Sequence, residues 1–382
     1  MKQIFMILTA FVAFSTAKKN ATFYEVEEPI QDRYIVVMQP GYDMSPIKKL
    51  ILGDRSGIFT DAAIKHTYFK TIRGFSVKLP KRGLEKLLAR EEIKYIVQDS
   101  VVRMSSVSSW GLDRVDQKDL PLDGKADYTG DGTGVNVYIV DTGIYPGSLY
   151  FNGRAEVAFD SIEEHQGPAY GIDCNGHGTH CAGTIGGDLF GVAPGVKLYG
   201  VRVLDCEGNG NTANVLAGLE YVANSANSPA VASMSLGGKS NPAIDEAVEG
   251  IIKAGVTVVA AAGNSNKDAC SYSPARVKEA ITVGATGSND KKAHFSNSGE
   301  CIDIFAPGVA IPSVGIGGVE DSIILDGTSM ACPHVAGAAA ISIGNANGMA
   351  PSDVKTKIEN EATEGKITGI SPDTPNRLLF IP

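Results

Sequence analysis

Five stretches in the later part of the chain are apolar almost without interruption, and longer segments with helical spacing separate them. Residues 135–141, 196–204, 230–236, 256–260 and 281–283 read as strands. Residues 177–185, 212–226, 243–254, 329–343 and 352–362 read as helices. Strands that lack polar alternation are covered on both faces. The pattern therefore predicts an α/β fold of three layers around a mostly parallel sheet. In such sheets binding and catalytic groups collect at the carboxyl ends of the strands.

The first hundred residues are patterned differently. Residues 33–38, 75–79 and 95–97 read as strands, and 47–52 and 84–90 as helical stretches, which predicts a small, separate α+β domain. Residues 101–109 are serine-rich and patternless, like the exposed linkers that proteases cut.

Charge sharpens this division. Residues 1–104 hold 17 Lys+Arg against 11 Asp+Glu, a balance of +6, and the remainder holds 17 against 32, a balance of −15. A basic leading domain before an acidic larger one fits two parts that dock on each other. The net charge of −9 argues against nucleic acid as a partner. Met1-Lys-Gln, an apolar run from Ile4 to Phe14 and the small residues Ser15-Thr16-Ala17 predict a signal peptide over 1–17 and export by the secretory route. No later apolar run approaches ~18 residues, so no membrane span is expected after signal removal. Export permits disulfides, but the six cysteines allow 15 full pairings, and none has the C-x-x-C spacing of a zinc site.

Candidate chemistry gathers at element ends. Val137-Tyr-Ile-Val-Asp141 ends a strand on an acid. In Asn175-Gly-His177-Gly-Thr-His180, glycines flank a histidine at a helix start. The two histidines lack the glutamate of a zinc-binding H-E-x-x-H segment. Val258-Val-Ala-Ala-Ala-Gly263-Asn264 ends a strand on an amide, and Gly327-Thr-Ser329 opens a helix on a hydroxyl. Free N–H groups at a helix start favour negative charge developing beside such a serine.

These segments resemble the signatures of subtilisin-like serine proteases, in the chain order Asp, His, Ser of that family. The resemblance covers residues 107–382. Trp110-Gly-Leu-Asp-Arg-Val-Asp-Gln, Gly200-Val-Arg-Val-Leu-Asp-Cys206 and Tyr272-Ser-Pro-Ala-Arg276 are similar to the proteinase K and aqualysin-like branch. The leading segment resembles the inhibitory propeptide of such enzymes, an intramolecular chaperone and inhibitor. The organisation implied is a signal peptide over 1–17, a propeptide over 18–105 and a peptidase domain over 106–382. A catalytically silent relative acting as a surface or binding protein would show a broken triad, and this triad is intact. A lipase or esterase would carry Gly-x-Ser-x-Gly, which Gly327-Thr-Ser-Met-Ala is not.

The resemblance implies a secreted, monomeric endopeptidase acting on proteins and peptides. Asp141, His177 and Ser329 would be catalytic and the Asn264 side chain the oxyanion donor. Gly208, Gly210, Ser235, Leu236 and Gly237 would pair with extended substrate. The small residues of the wall, Ala262 and Gly263 among them, would leave a roomy apolar first pocket for aromatic or aliphatic side chains. It also implies disulfides Cys174–Cys206 and Cys270–Cys301. Cys181 and Cys332 remain, read as free buried thiols with a third disulfide as the alternative. Cys332 stands where the family usually has threonine. Structural calcium is implied twice. Asp113, Asp116 and Gln117 share a helical turn, and Asp123 follows in a loop, although Lys125 replaces a usual asparagine. Asp303, with backbone carbonyls near Lys278 and Ala280, is the second candidate.

Overall fold

The computed structural model describes residues 21–26, 29–54, 56–100, 108–162 and 167–382. The chain divides into two units, Met1–Met104 and Ser105–Pro382. The expected signal peptide and residues 101–107 of the expected linker lie outside the described residues.

The first unit contains β1 (Thr22–Tyr24), β2 (Pro29–Met38), α1 (Ser45–Leu52), β3 (Ala63–Tyr68), β4 (Gly74–Lys78), α2 (Lys81–Leu88) and β5 (Ile93–Ser100). Its sheet runs β1-β5-β2-β4-β3, antiparallel except where β1 lies along β5. Ile47 and Ile51 of α1 and Leu84 and Leu87 of α2 close over Val36, Phe75 and Ile96. The sequence pattern does not predict β3. It is a polar edge strand, and its partner β4 rather than its own composition holds it extended.

The second unit opens with α3 (Trp110–Val115), β6 (Asn136–Asp141), β7 (Ala155–Asp160), α4 (His177–Gly186), β8 (Lys197–Arg202), α5 (Thr212–Ser225) and β9 (Ala230–Met234). It continues with β10 (Gly238–Lys239), α6 (Pro242–Lys253), β11 (Val256–Ala261), β12 (Tyr272–Ser273), β13 (Ile281–Thr286) and β14 (Ile304–Pro307). It ends with β15 (Ile311–Val314), β16 (Ser322–Leu325), α7 (Thr328–Asn345), α8 (Pro351–Glu361), β17 (Thr363–Glu364) and β18 (Arg377–Leu378). Nine strands form one sheet in the order β17-β18-β14-β13-β11-β9-β6-β8-β7, parallel throughout except between β17 and β18.

Every residue of β9, β11, β13 and β14 is buried, which is why those strands carry no polar alternation. Successive strand residues still face opposite layers. Val137 and Ile139 meet α4 and α7, whereas Tyr138 and Val140 meet α5 and α6. Several strands escape the sequence pattern, β7 and β14 of the main sheet among them. β7 is an edge strand with polar Glu156, and β14 is only four residues long.

The sheet places the site. From β6 the chain runs outward through β7 and returns as β8 beside β6. It then crosses to the other side of β6 for β9, β11, β13 and β14. The order reverses at β6, so the carboxyl end of β6 borders the crevice such sheets use for ligands. Asp141 is the last residue of β6.

Candidate active site

The Asp141 carboxylate is fully buried, and its Oδ1 lies 2.7 Å from His177 Nδ1 and accepts from the Thr142 N–H at 2.7 Å. His177 is the first residue of α4. That helix can begin against the turn after Asp141 only because residue 178 is glycine. A Cβ there would stand 2.3 Å from the Gly143 carbonyl oxygen.

A second carboxylate ties these two ends together. Buried Asp173 accepts from the N–H groups of Asn175, Gly176 and Thr179 at 3.0, 2.8 and 2.9 Å. It also accepts from the hydroxyls of Thr142 and Thr179 at 2.9 and 2.6 Å. Thr142 Oγ1 in turn accepts from Gly178 N–H at 2.9 Å. An anion at a helix start satisfies orphan donors and the helix dipole together. Sequence reasoning did not single out Asp173. The available signal was an acid four residues before the histidine, at a predicted helix start.

Ser329 is the second residue of α7, after the N-cap Gly327. Its hydroxyl donates to the Ser235 carbonyl at 3.0 Å, and the Ser235 hydroxyl donates to the Ser329 carbonyl at 3.0 Å. Cys181 Sγ also approaches the Ser329 carbonyl, at 3.4 Å. Pro333 explains why that carbonyl is free. It lies in the second turn, inside the helix, and has no N–H to offer the oxygen four residues back. Nucleophile–base contacts are often slack before substrate arrives, and a turn of the Ser329 side chain redirects its hydroxyl.

Asn264 is oriented by the residue before the serine. Its Oδ1 accepts from Thr328 N–H at 2.9 Å and from Thr328 Oγ1 at 2.8 Å. Thr328 Oγ1 accepts from Gly263 N–H at 3.1 Å. With Oδ1 committed, the amide offers Nδ2 as a donor. Gly263 has φ +98°, and a Cβ there would stand 2.6 Å from Asn297 Nδ2, so glycine is needed beside the amide.

His177 differs in kind from His180 and His334. Burial disfavours the His177 imidazolium, but the Asp141 charge and hydrogen bond, with Asp173 behind them, outweigh it and raise its pKa. Burial lowers His180 and His334 to about 4. Their rings sit against the carbonyls of Ile311 and Met330, as neutral core groups.

A cleft of about 670 Å³ runs from His177 along Gly208, Gly210, Ser235, Leu236 and Gly237. A smaller cavity of about 170 Å³ brings Ala262, Gly263 and Asn264 to Ser329, with Tyr272 and Ala275. Among the described residues, no Asp, Glu, Lys or Arg lines the smaller cavity.

Residues 132–376 match the subtilase family, peptidase family S8, and residues 33–105 match the peptidase inhibitor I9 family. The chain belongs to the subtilase family. It is a serine endopeptidase made as a zymogen, with its inhibitor segment ahead of the peptidase. It is 44% identical over 389 residues to an extracellular serine proteinase of Thermus sp. (strain Rt41A), covering 97% of this chain and 94% of that one. It is 42% identical to alkaline serine exoprotease A of Vibrio alginolyticus, covering 92% of this chain and 67% of that one. A cold adapted subtilisin-like serine proteinase of known structure superposes with a TM-score of 0.70 at 46% identity. The match covers 72% of this chain and 99% of that one.

In this subtilase Cys174 is joined to Cys206 and Cys270 to Cys301. The guanidinium of fully buried Arg202, paired with Asp160, lies 3.2 Å from Cys174 Sγ. Cys181 and Cys332 are free and buried. Cys181 Sγ lies beside the Asp141–His177 pair, since ligand atoms of Asp141, His177 and Cys181 all lie within 4.8 Å of one another. Cys332 faces the sheet instead, 3.4 Å from the Val259 carbonyl and 3.6 Å from Ser233 Oγ. Burial raises both thiols, Cys181 well above the usual range and Cys332 to about 11.

The two calcium candidates fare differently. Asp113 accepts from Asp123 and Gly124 N–H at 3.1 and 2.8 Å, and Asp123 from Lys125 N–H at 3.0 Å. Asp116 Oδ2 accepts from Asp127 N–H at 2.6 Å, but its Oδ1 is buried without a partner. Burial raises the Asp116 pKa, and the charges of Asp113, Asp123 and Asp127 add to it. An orphaned oxygen among four acids fits a cation. Gln117 contributes its amide nitrogen to the loop, donating to the carbonyls of Asp119 and Pro121. Asp303 does not fit, contrary to the expectation from sequence. The ammonium of Lys355 holds that position, 2.6 Å from Asp303 Oδ1 and 2.7 Å from the Ala280 carbonyl oxygen.

Proposed function

We propose that Ser329 is the nucleophile of a secreted, broad-specificity endopeptidase, with His177 as its base and Asp141 as the group that orients the base. The 2.7 Å contact between Asp141 and His177 Nδ1 carries this reading, because it leaves Nε2 as the ring's proton acceptor. Ser329 Oγ attacks the scissile carbonyl as His177 takes its proton. The tetrahedral oxyanion accepts hydrogen bonds from Asn264 Nδ2 and Ser329 N–H. The imidazolium then protonates the leaving amine, and water repeats the sequence to release the acid. Substrate lies extended between residues 208–210 and 235–237. An uncharged first pocket of about 170 Å³ favours aromatic or aliphatic side chains.

Residues 18–105 act as propeptide and 106–382 as the mature peptidase, a monomer, exported by the segment 1–17. Extracellular proteases among its relatives support the destination. Asp113, Asp116, Gln117 and Asp123 would hold a structural calcium ion, which neutralises their crowded charge.

The deciding experiment is expression of the precursor with and without Ser329→Ala. The unaltered chain is expected to split near residues 101–107 and the variant to stay whole. Cleavage of the purified variant at the same place would rule out Ser329 as the group that cuts it.

A further inference from the structure

Asp303 directly precedes β14, and Ala280 directly precedes β13. A carboxylate and a carbonyl converging from adjacent parallel strands make an oxygen-lined position for a cation. The structure assigns that position to the side chain of Lys355, which enters from α8: we propose that this subtilase carries a tethered ammonium in place of a calcium ion, so that the site takes up no divalent metal.

The contacts of the site define the exchange. Asp303 Oδ2 accepts from Thr282 N–H at 2.8 Å, and Thr282 Oγ1 donates to the Ala275 carbonyl at 2.8 Å. One carboxylate oxygen is thus spent on β13, and Oδ1 faces the ammonium at 2.6 Å. Lys355 Nζ donates to Ala280 O at 2.7 Å and stands 3.7 Å from Glu359 Oε1, one turn further along α8. Glu359 in turn faces Arg377 at 3.7 Å. The side chains of Lys355 and Asp303 are 18% and 19% exposed, so neither charge is left to water.

Calcium binds oxygens at about 2.3–2.6 Å, the distance at which Lys355 Nζ already stands from Asp303. Two cations cannot share that space. Burial pushes the Asp303 carboxyl above its usual range, and the Lys355 charge opposes this. Removing the ammonium would strand a buried carboxylate beside an open carbonyl, a vacancy suited to a divalent ion. A covalently attached cation also cannot be lost to a chelator, so this part of the fold holds its charge balance whatever the calcium supply.

The test counts bound calcium in the full chain carrying Ser329→Ala, which prevents self-digestion, by equilibrium dialysis and isothermal titration with calcium chloride. The Asp303→Asn chain is expected to hold as many ions as the Lys355-containing parent. Lys355→Met is expected to bind one more, with a calcium-dependent rise in Tm, and Lys355→Met with Asp303→Asn is expected to lose it again. A parent that loses an ion on Asp303→Asn, or a folded Lys355→Met chain that gains none, overturns the proposal. A crystal of the parent chain in millimolar calcium needs no change at Lys355 or Asp303. Nζ between Asp303 and Ala280 supports the substitution, and a metal at that point refutes it.

Discussion

Ser235 and Ser329 exchange hydrogen bonds: each hydroxyl donates to the other's carbonyl, both at 3.0 Å. The exchange depends on Pro333, which leaves the Ser329 carbonyl without a helical donor. Ser235→Ala removes the better of that carbonyl's two remaining donors. A loss of about 1–3 kcal/mol is expected, read as a lower urea midpoint. Pro333→Ala restores an N–H four residues on and should recover more stability in the Ser235→Ala chain than in the parent. Strict additivity in that double-mutant cycle would show that the two residues do not share this carbonyl.

With His177 as the proposed base, its raised pKa is expected to set the acid limb of activity. The base must be neutral, so kcat/KM should fall as pH drops through that raised value. Asp173 adds to the field that raises it. Asp173→Asn should therefore move the acid limb to lower pH as well as reduce kcat. An unmoved limb with reduced kcat would leave Asp173 a purely structural anchor.

Stability responds to acid through other residues. His180 and His334 titrate near 6.5 when unfolded and near 4 when folded. Between those values the unfolded chain binds more protons, so stability declines as pH falls from about 6.5 towards 4. In the Ser329→Ala background, Tm against pH should slope over that window, and His334→Leu should flatten the slope. An equal slope in the variant would place the acid sensitivity elsewhere.

Asn264→Ala removes the proposed side-chain oxyanion donor while leaving Asp141, His177 and Ser329 in place. A fall of about 100- to 1000-fold in kcat with little change in KM is expected. A change confined to KM would make Asn264 a substrate-binding residue only.

The free thiols should differ in their effect on activity. Cys181 Sγ shares a small volume with Asp141 and His177, whereas Cys332 faces the sheet. Mercuric ion is expected to inhibit through Cys181. Cys181→Ala should relieve inhibition and Cys332→Thr should not; protection by Cys332→Thr alone would reverse the assignment. Denatured, unreduced protein should show two free thiols per chain.

Much of this was legible in the chain itself. Strands buried on both faces must be apolar throughout, so β6, β9, β11 and β13 announce themselves. The segments around Asp141, His177, Asn264 and Ser329 are short, and their chemistry is local. β3 and β7 were not legible, because an edge strand takes its conformation from a partner rather than from its own residues.

Sequence alone determined the α/β layering, the separate leading domain, and an acid, a base, an amide and a hydroxyl at element ends. Only the tertiary structure decided what holds those groups and which side chain reaches Asp303. Asp173 acts through Thr142, 31 residues away, and Ser235 reaches Ser329 across 94. Lys355 is 75 residues from Ala280 and looks like any helix-surface lysine until α8 packs. Hydrogen bonds and ion pairs depend on distances of a few ångströms between groups remote in the chain. Spacing along the sequence carries no record of those distances until the sheet and its helices have closed.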